Sequence, residues 1–195
     1  MRGIEGSLGK IAALAATAFG VQQLGRYANT IQTVTNRLKL TEAGQKNLNQ
    51  ALKNVQGIAN RARQDLDSVS DLYQKIALAT KDLNLSQEAV AQTTETFTKL
   101  LSIAGAESGT AAGAIRQFAQ ALGSGAFRGD EFNSVVEAAP QILDILAKET
   151  GKARGQIRAL AADGKLTADV LINALLKSAK DVDEQFAKTS PTLGQ

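Results

Sequence analysis

The sequence predicts an all-α protein, with long N-terminal helices (a hairpin or a coiled-coil-like arm) followed by a compact cluster of short helices. Three observations carry this. Only two prolines occur in 195 residues. β-Branched residues never gather into alternating runs, and apolar residues recur at three- and four-residue spacing along the whole chain.

The first predicted helix runs from about Ile4 to about Arg37, loosened at Gly20 and Gly25, since an interior glycine costs roughly 1 kcal/mol against alanine. Its most apolar stretch, Ile11–Val21, is about half the ~20 residues that a membrane-crossing helix requires. It has features of a signal peptide, but Lys10 abuts an alanine-rich run that ends directly on Gln22-Gln23, so it reads better as a helix packed on another helix. The second predicted helix runs from about Thr41 to Ala79. Leu48, Leu52, Val55, Ile58, Ala62, Leu66, Val69, Leu72 and Ile76 step by threes and fours, as in a coiled-coil seam. Some forty residues at ~1.5 Å each would span roughly 60 Å. The alternative is a helix broken and folded back near Gly57.

Beyond residue 80 the chain is punctuated. Ser86 caps a helix whose Glu88 faces the positive end of the dipole, and Leu85 is placed to staple onto Val90. Leu166-Thr167-Ala168-Asp169-Val170-Leu171 repeats that device, with Thr167 as the cap. Between these two starts, helices are expected near 86–103, 109–122, 130–138, 140–149 and 153–162. Pro140 suits a first turn, and Gly151 and Gly164 suit left-handed helix ends. The organisation that follows is an elongated basic arm over 1–80, a compact helical domain over 81–190, and a tail over 191–195 that runs into a continuation.

Composition removes most chemistry. The chain has no Cys and no His. Disulfides, thiolate or imidazole metal sites, and Ser-His-Asp or Cys-His hydrolysis are therefore outside its reach. Aromatic residues make up 4% and Trp is absent, which disfavours stacking platforms for single-stranded nucleic acid. Charge is uneven. Residues 1–64 hold nine basic and two acidic side chains, a net +7, and the remainder is −4. A basic arm can seek nucleic acid, a membrane or an acidic surface, and it can equally be a solvated helix face.

Three sites compete on the sequence. The turn SGAFRGDEF, residues 124–132, lacks the Lys-Ser or Lys-Thr of a phosphate loop and places Asp130-Glu131 where phosphate would sit. Its Arg128-Gly129-Asp130 matches the tripeptide that integrins read. The structural reading explains more: Gly123 and Gly125 end one helix, Gly129 turns the chain, Asp130-Glu131 cap the next, and Phe127 and Phe132 pack on either side. A helix-turn-helix over 153–180 fails because the helix from Ala168 to Lys177 offers one Asn and one Lys against five large aliphatics. Glu131, Glu137 and Asp144 form no distinguishable acid–base pair.

The succession GAFRGDEFNSVVEAAPQILDILAKETG from Gly125, then RGQIRALAADGKLTADVLINALL to Leu176, resembles the domain shared by tail tape measure proteins of tailed phages. Residues 73–125 are similar to the preceding part of that domain and NRLKL, 36–40, to its beginning, so the resemblance spans about Asn36 to Ser178. Its motif positions here are Gly125, Arg128, Gly129, Asp130, Glu131, Asn133, Pro140, Gly164, Leu166 and Thr167. The resemblance implies a structural virion protein that lies as extended helical copies in the lumen of the tail tube. There it templates tube assembly, sets tail length and leaves ahead of the DNA. It implies a homo-oligomer with the tail tube protein, a tail assembly chaperone and tail tip proteins as partners, made in the host cytoplasm, with transient contact to DNA or the host membrane. It carries over no catalytic, cofactor or metal residue. A basic DNA-binding protein and a membrane-active helical protein are the alternatives. Family members run to several hundred residues, whereas this chain stops at SPTLGQ within what resembles a continuing sequence and begins abruptly on a helix. The expectation is a piece of a longer ruler, with a prophage remnant or a stand-alone product as the other options. Fully helical, 195 residues would measure at most about 290 Å.

Overall fold

A computed structural model describes residues 21–81 and 85–190, with side chains from residue 25 onward. These residues form nine helices and no strand. The predicted start at Ile4, Gly20 and the tail 191–195 lie outside the described residues. What is seen of the first helix is α1, Val21–Lys39, which buries Ile31, Val34 and Leu38 along one stripe.

The chain then turns sharply into α2, Glu42–Ala62. Thr41 makes the turn: its hydroxyl donates to the Leu38 carbonyl at 2.7 Å and accepts from the Gly44 N–H at 3.1 Å. The two helices approach so closely that a Cβ on Gly44 would lie 1.9 Å from the Leu38 carbonyl oxygen. α2 kinks at Asn47 (φ −154°, ψ 91°), whose side-chain oxygen accepts from the Gln50 N–H and so caps the remainder of the helix.

The predicted helix from Thr41 to Ala79 is not continuous. It ends at Ala62 and restarts as α3, Leu66–Ala79. The break falls at Arg63, not at Gly57. Arg63 adopts φ 54°, ψ 44°, its N–H donates to the Asn60 carbonyl, and the Gln64 N–H donates to that of Ala59. This is the helix-terminating motif that glycine ordinarily serves, formed by arginine. Asp65 then caps α3 by accepting from the Ser68 N–H at 2.8 Å. Val69, Leu72, Tyr73 and Ile76 of α3 are 1% exposed or less, so core burial sets the path that local propensity would not.

The rest follows the prediction closely. α4 is Gln87–Ile103, capped by Ser86 as expected. α5 is Ser108–Ser124, with Gly123 still inside it, and α6 is Gly129–Ala138. α7 is Ile142–Thr150, α8 is Arg154–Ala162 and α9 is Ala168–Phe186. Pro140 does not enter its helix. It sits in the turn before α7, where its carbonyl accepts from the Leu143 N–H at 3.2 Å, and the helix begins two residues later at Ile142.

One hydrophobic core takes side chains from Val34 through Val182. α4 runs through its middle, touching α2 and α3 and packing most extensively on α9. Its buried stripe is unusually hydroxylated: Thr93, Thr94 and Thr98 each donate to the carbonyl four residues back, at 2.5–2.8 Å. The hydroxyls are thus satisfied within the helix, which lets polar residues occupy core positions.

Candidate functional site

Two places gather polar residues from distant parts of the chain. The first is the glycine turn. α5 ends at Gly125 in the left-handed region (φ 79°), and two residues of extended chain lead to Arg128 and α6. The turn after α8 ends in the same way: the Gly164 N–H (φ 67°) donates to the Ala161 carbonyl and that of Lys165 to Leu160. The two turns are bonded side by side. The Phe127 N–H donates to the Leu166 carbonyl at 2.7 Å, the Ala168 N–H donates to that of Gly125 at 3.3 Å, and Ala126 and Thr167 form an isolated antiparallel bridge.

Gly125, Arg128, Gly129, Gly164, Leu166 and Thr167 therefore converge on one clasp. The Arg128 side chain lies over Gly164, its Cδ and Nη1 at van der Waals distance from where a Cβ would be. Leu166 is fully buried. Thr167 occupies the N-cap position of α9, where its carbonyl accepts from the Leu171 N–H, but its hydroxyl makes no capping bond. Asp130 and Glu131 lie in the first turn of α6 and match its dipole, but the N-cap position belongs to Arg128, so neither is the cap. Gly129 opens that helix at φ 59°. Asn133 is exposed on α6, and Pro140 stands apart at the far end of that helix.

Phe127 anchors the clasp. It meets Phe132 edge-on at 5.3 Å and Phe118 edge-on at 6.1 Å, and Phe118 stacks on Phe97 at 4.1 Å. Four of the six phenylalanines thus connect the turn to α4 at the centre of the core.

The second place is an open groove of about 430 Å³ between α2, α4 and α9. Its floor is a chain of ion pairs. Arg61 grips Glu95 with two bonds of 2.9 and 2.7 Å. Lys99 reaches both Glu95 and Asp183 at 2.7 Å. Burial works against ionisation of Glu95, but hydrogen bonds from Arg61 and Lys99 outweigh it and hold the carboxyl below its ordinary range. Burial likewise disfavours the Lys99 ammonium, and Asp183 with Glu95 more than offsets that, so its pKa rises. Every charge in this chain is matched, which makes it a tie between three helices. Beside it Arg63 covers the Phe186 ring at 4.5 Å and donates to the Thr189 carbonyl at 3.2 Å.

The carboxylates weighed as an acid–base pair are separated in use. Asp144 is held by both nitrogens of an Arg154 fork, and Glu137 is exposed on α6. Among the described residues no group of His, Cys, Asp or Glu is placed to hold a metal ion, and no helix is long and apolar enough to cross a membrane. α9, weighed as a DNA-reading helix, buries Leu171, Ile172, Ala174 and Leu175 against the core. Sequence reasoning missed the ion-pair chain. Glu95 and Lys99 stand four apart and are legible as a pair, but Arg61 and Asp183 lie 34 and 84 residues from their partners.

A sequence model of the family described as "Tape measure protein" matches residues 22–195, a wider span than the Asn36–Ser178 of the resemblance. No curated protein and no solved structure matches the chain.

Proposed function

This chain belongs to the tape measure protein family, a family of phage tail structural proteins, and we propose from that membership that it forms part of the ruler that sets tail length. The family match is the observation that carries the reading. The clasp supports it: the motif residues Gly125 and Leu166 join the two turns through backbone bonds to Ala168 and Phe127, and Phe127 and Phe132 of the same turn sit in the core. Residues engaged in this way hold a shape. In this role several copies occupy the tail tube during assembly in the host cytoplasm, template polymerisation of the tube protein, and depart at DNA ejection.

Ruler length is testable by genetics. In the phage that encodes this chain, an in-frame duplication of a helical segment of the gene lengthens tails, and a deletion shortens them. Electron microscopy should read a change on the order of 1.5 Å per residue for a helical ruler. Tails of unchanged length in both variants would sink the proposal.

A further inference from the structure

The break between α2 and α3 is at odds with its own sequence. The apolar stripe runs through it in phase: Ala62, fully buried, and Leu66, partly buried against the core, are four apart, as on one continuous helix. Arg63-Gln64-Asp65 contains neither glycine nor proline. Arg63 is also the one non-glycine residue with positive φ among those described. The backbone there is strained, and short strained hinges invite the exchange of identical elements between copies.

What crosses the hinge is extensive. α1 and α2 meet the rest of the molecule through Arg37 on Asp67 and Ser70, through Arg61 on Glu95, and through their apolar faces against α3 and α4. Opening the hinge within one molecule would forfeit all of this. Opening it between two molecules would forfeit almost none, because each contact is remade with the partner copy. The difference is then confined to the joint. A straight joint releases Arg63 from the left-handed region, and it gives up the Asp65 cap, the Arg63 contacts with Phe186 and Thr189, and the bonds that Ser102 makes with the Ala62 carbonyl and the Gln64 side chain.

We propose that the interaction surface formed by α1 and α2 takes a second copy of this chain, by reciprocal exchange of the two helices as residues 62–66 straighten into one helix that runs on to Ala79. The Arg63 side chain is the latch that favours the closed monomer, and its backbone is the spring that opposes it. The exchange does not rest on the tail reading and can fail or hold independently of it.

The absence of cysteine allows a direct test on the whole chain. Asn49→Cys and Leu78→Cys, both at exposed positions, take spin labels on either side of the joint. Labelled chains diluted with unlabelled ones report only the intrachain distance. A straight joint gives roughly 44 Å for 29 residues at ~1.5 Å each, and the bent joint a shorter value. Arg63→Ala removes the latch and keeps a good helix former. Arg63→Gly removes it too, but glycine favours the left-handed turn and disfavours the helix. At roughly tenfold per hinge and two hinges per dimer, Arg63→Ala should dimerise about a hundredfold more tightly than Arg63→Gly, by analytical ultracentrifugation, and its dimer should show the long distance. Equal association of the two variants overturns the proposal, as do dimers that keep the short distance. Should Arg63→Ala fail to fold by circular dichroism, the labelled wild type is refolded from denaturant at high concentration. A long-distance dimer then supports the exchange, and a strict monomer overturns it.

Discussion

At the scale of single residues, Gly44 is held by distance. With a Cβ placed 1.9 Å from the Leu38 carbonyl oxygen, no rotamer relieves the contact, since the Cβ position is fixed by its own backbone and its partner is a backbone carbonyl. Gly44→Ala must therefore pry α1 from α2. It should lower stability by about 2–4 kcal/mol, the range of severe core disruptions, read as a drop in the midpoint of a denaturant titration. A variant melting with the wild type would show that the α1–α2 turn is softer than its geometry implies. Gly164 differs, being left-handed and covered by Arg128. Its role was visible in the sequence, whereas that of Gly44 was not. A glycine after a helix announces a turn by type, but a glycine inside one conveys close approach only once the neighbour is known.

At the scale of helices, the ion-pair chain from Arg61 through Glu95 and Lys99 to Asp183 ties α2, α4 and α9 together. Because the folded state holds the Glu95 carboxyl below its usual 4.5, the unfolded chain takes up its proton first as pH falls. The stability this residue contributes is complete above about pH 4.5 and is lost as pH drops through the lower folded value. Glu95→Gln should cost about 1–3 kcal/mol at neutral pH and should remove part of the acid dependence of thermal melts below that point. Parallel curves for the two proteins would assign the acid dependence to other carboxylates.

Helix ends show what could be read from the chain. Ser86 and Gly151 behave as their types predict, because capping needs only neighbours within one turn. Thr167 takes its position but not its bond, beside a segment brought there by the fold, and Pro140 stays outside its helix in an exposed turn. Arg63 is the plainest case. The apolar spacing and the absence of glycine and proline favour continuity, whereas the Asp65 cap and the buried face of α3 prevail. The clasp stands between these cases: its residues were identified from their motif, but the meeting of residues 125–127 with 166–168 is a long-range contact that no periodicity reveals.

At the scale of the whole molecule, α4 packs between α2, α3 and α9, and the clasp closes the chain on itself at one point. Considered mechanically, that point reroutes load. Tension along the chain passes from Gly125 to Ala168 across the two hydrogen bonds that join the turns, so α6, α7 and α8 hang as a side loop outside the line of force. While those bonds hold, pulling does no work on the three helices. Once they part, roughly 40 residues at ~3.4 Å each become available, and an optical trap should record a single lengthening of about 140 Å. A gradual lengthening would mean that the helices yield one by one and that the clasp carries no load. If the single step is seen, slack is stored in this chain and released at a threshold of force.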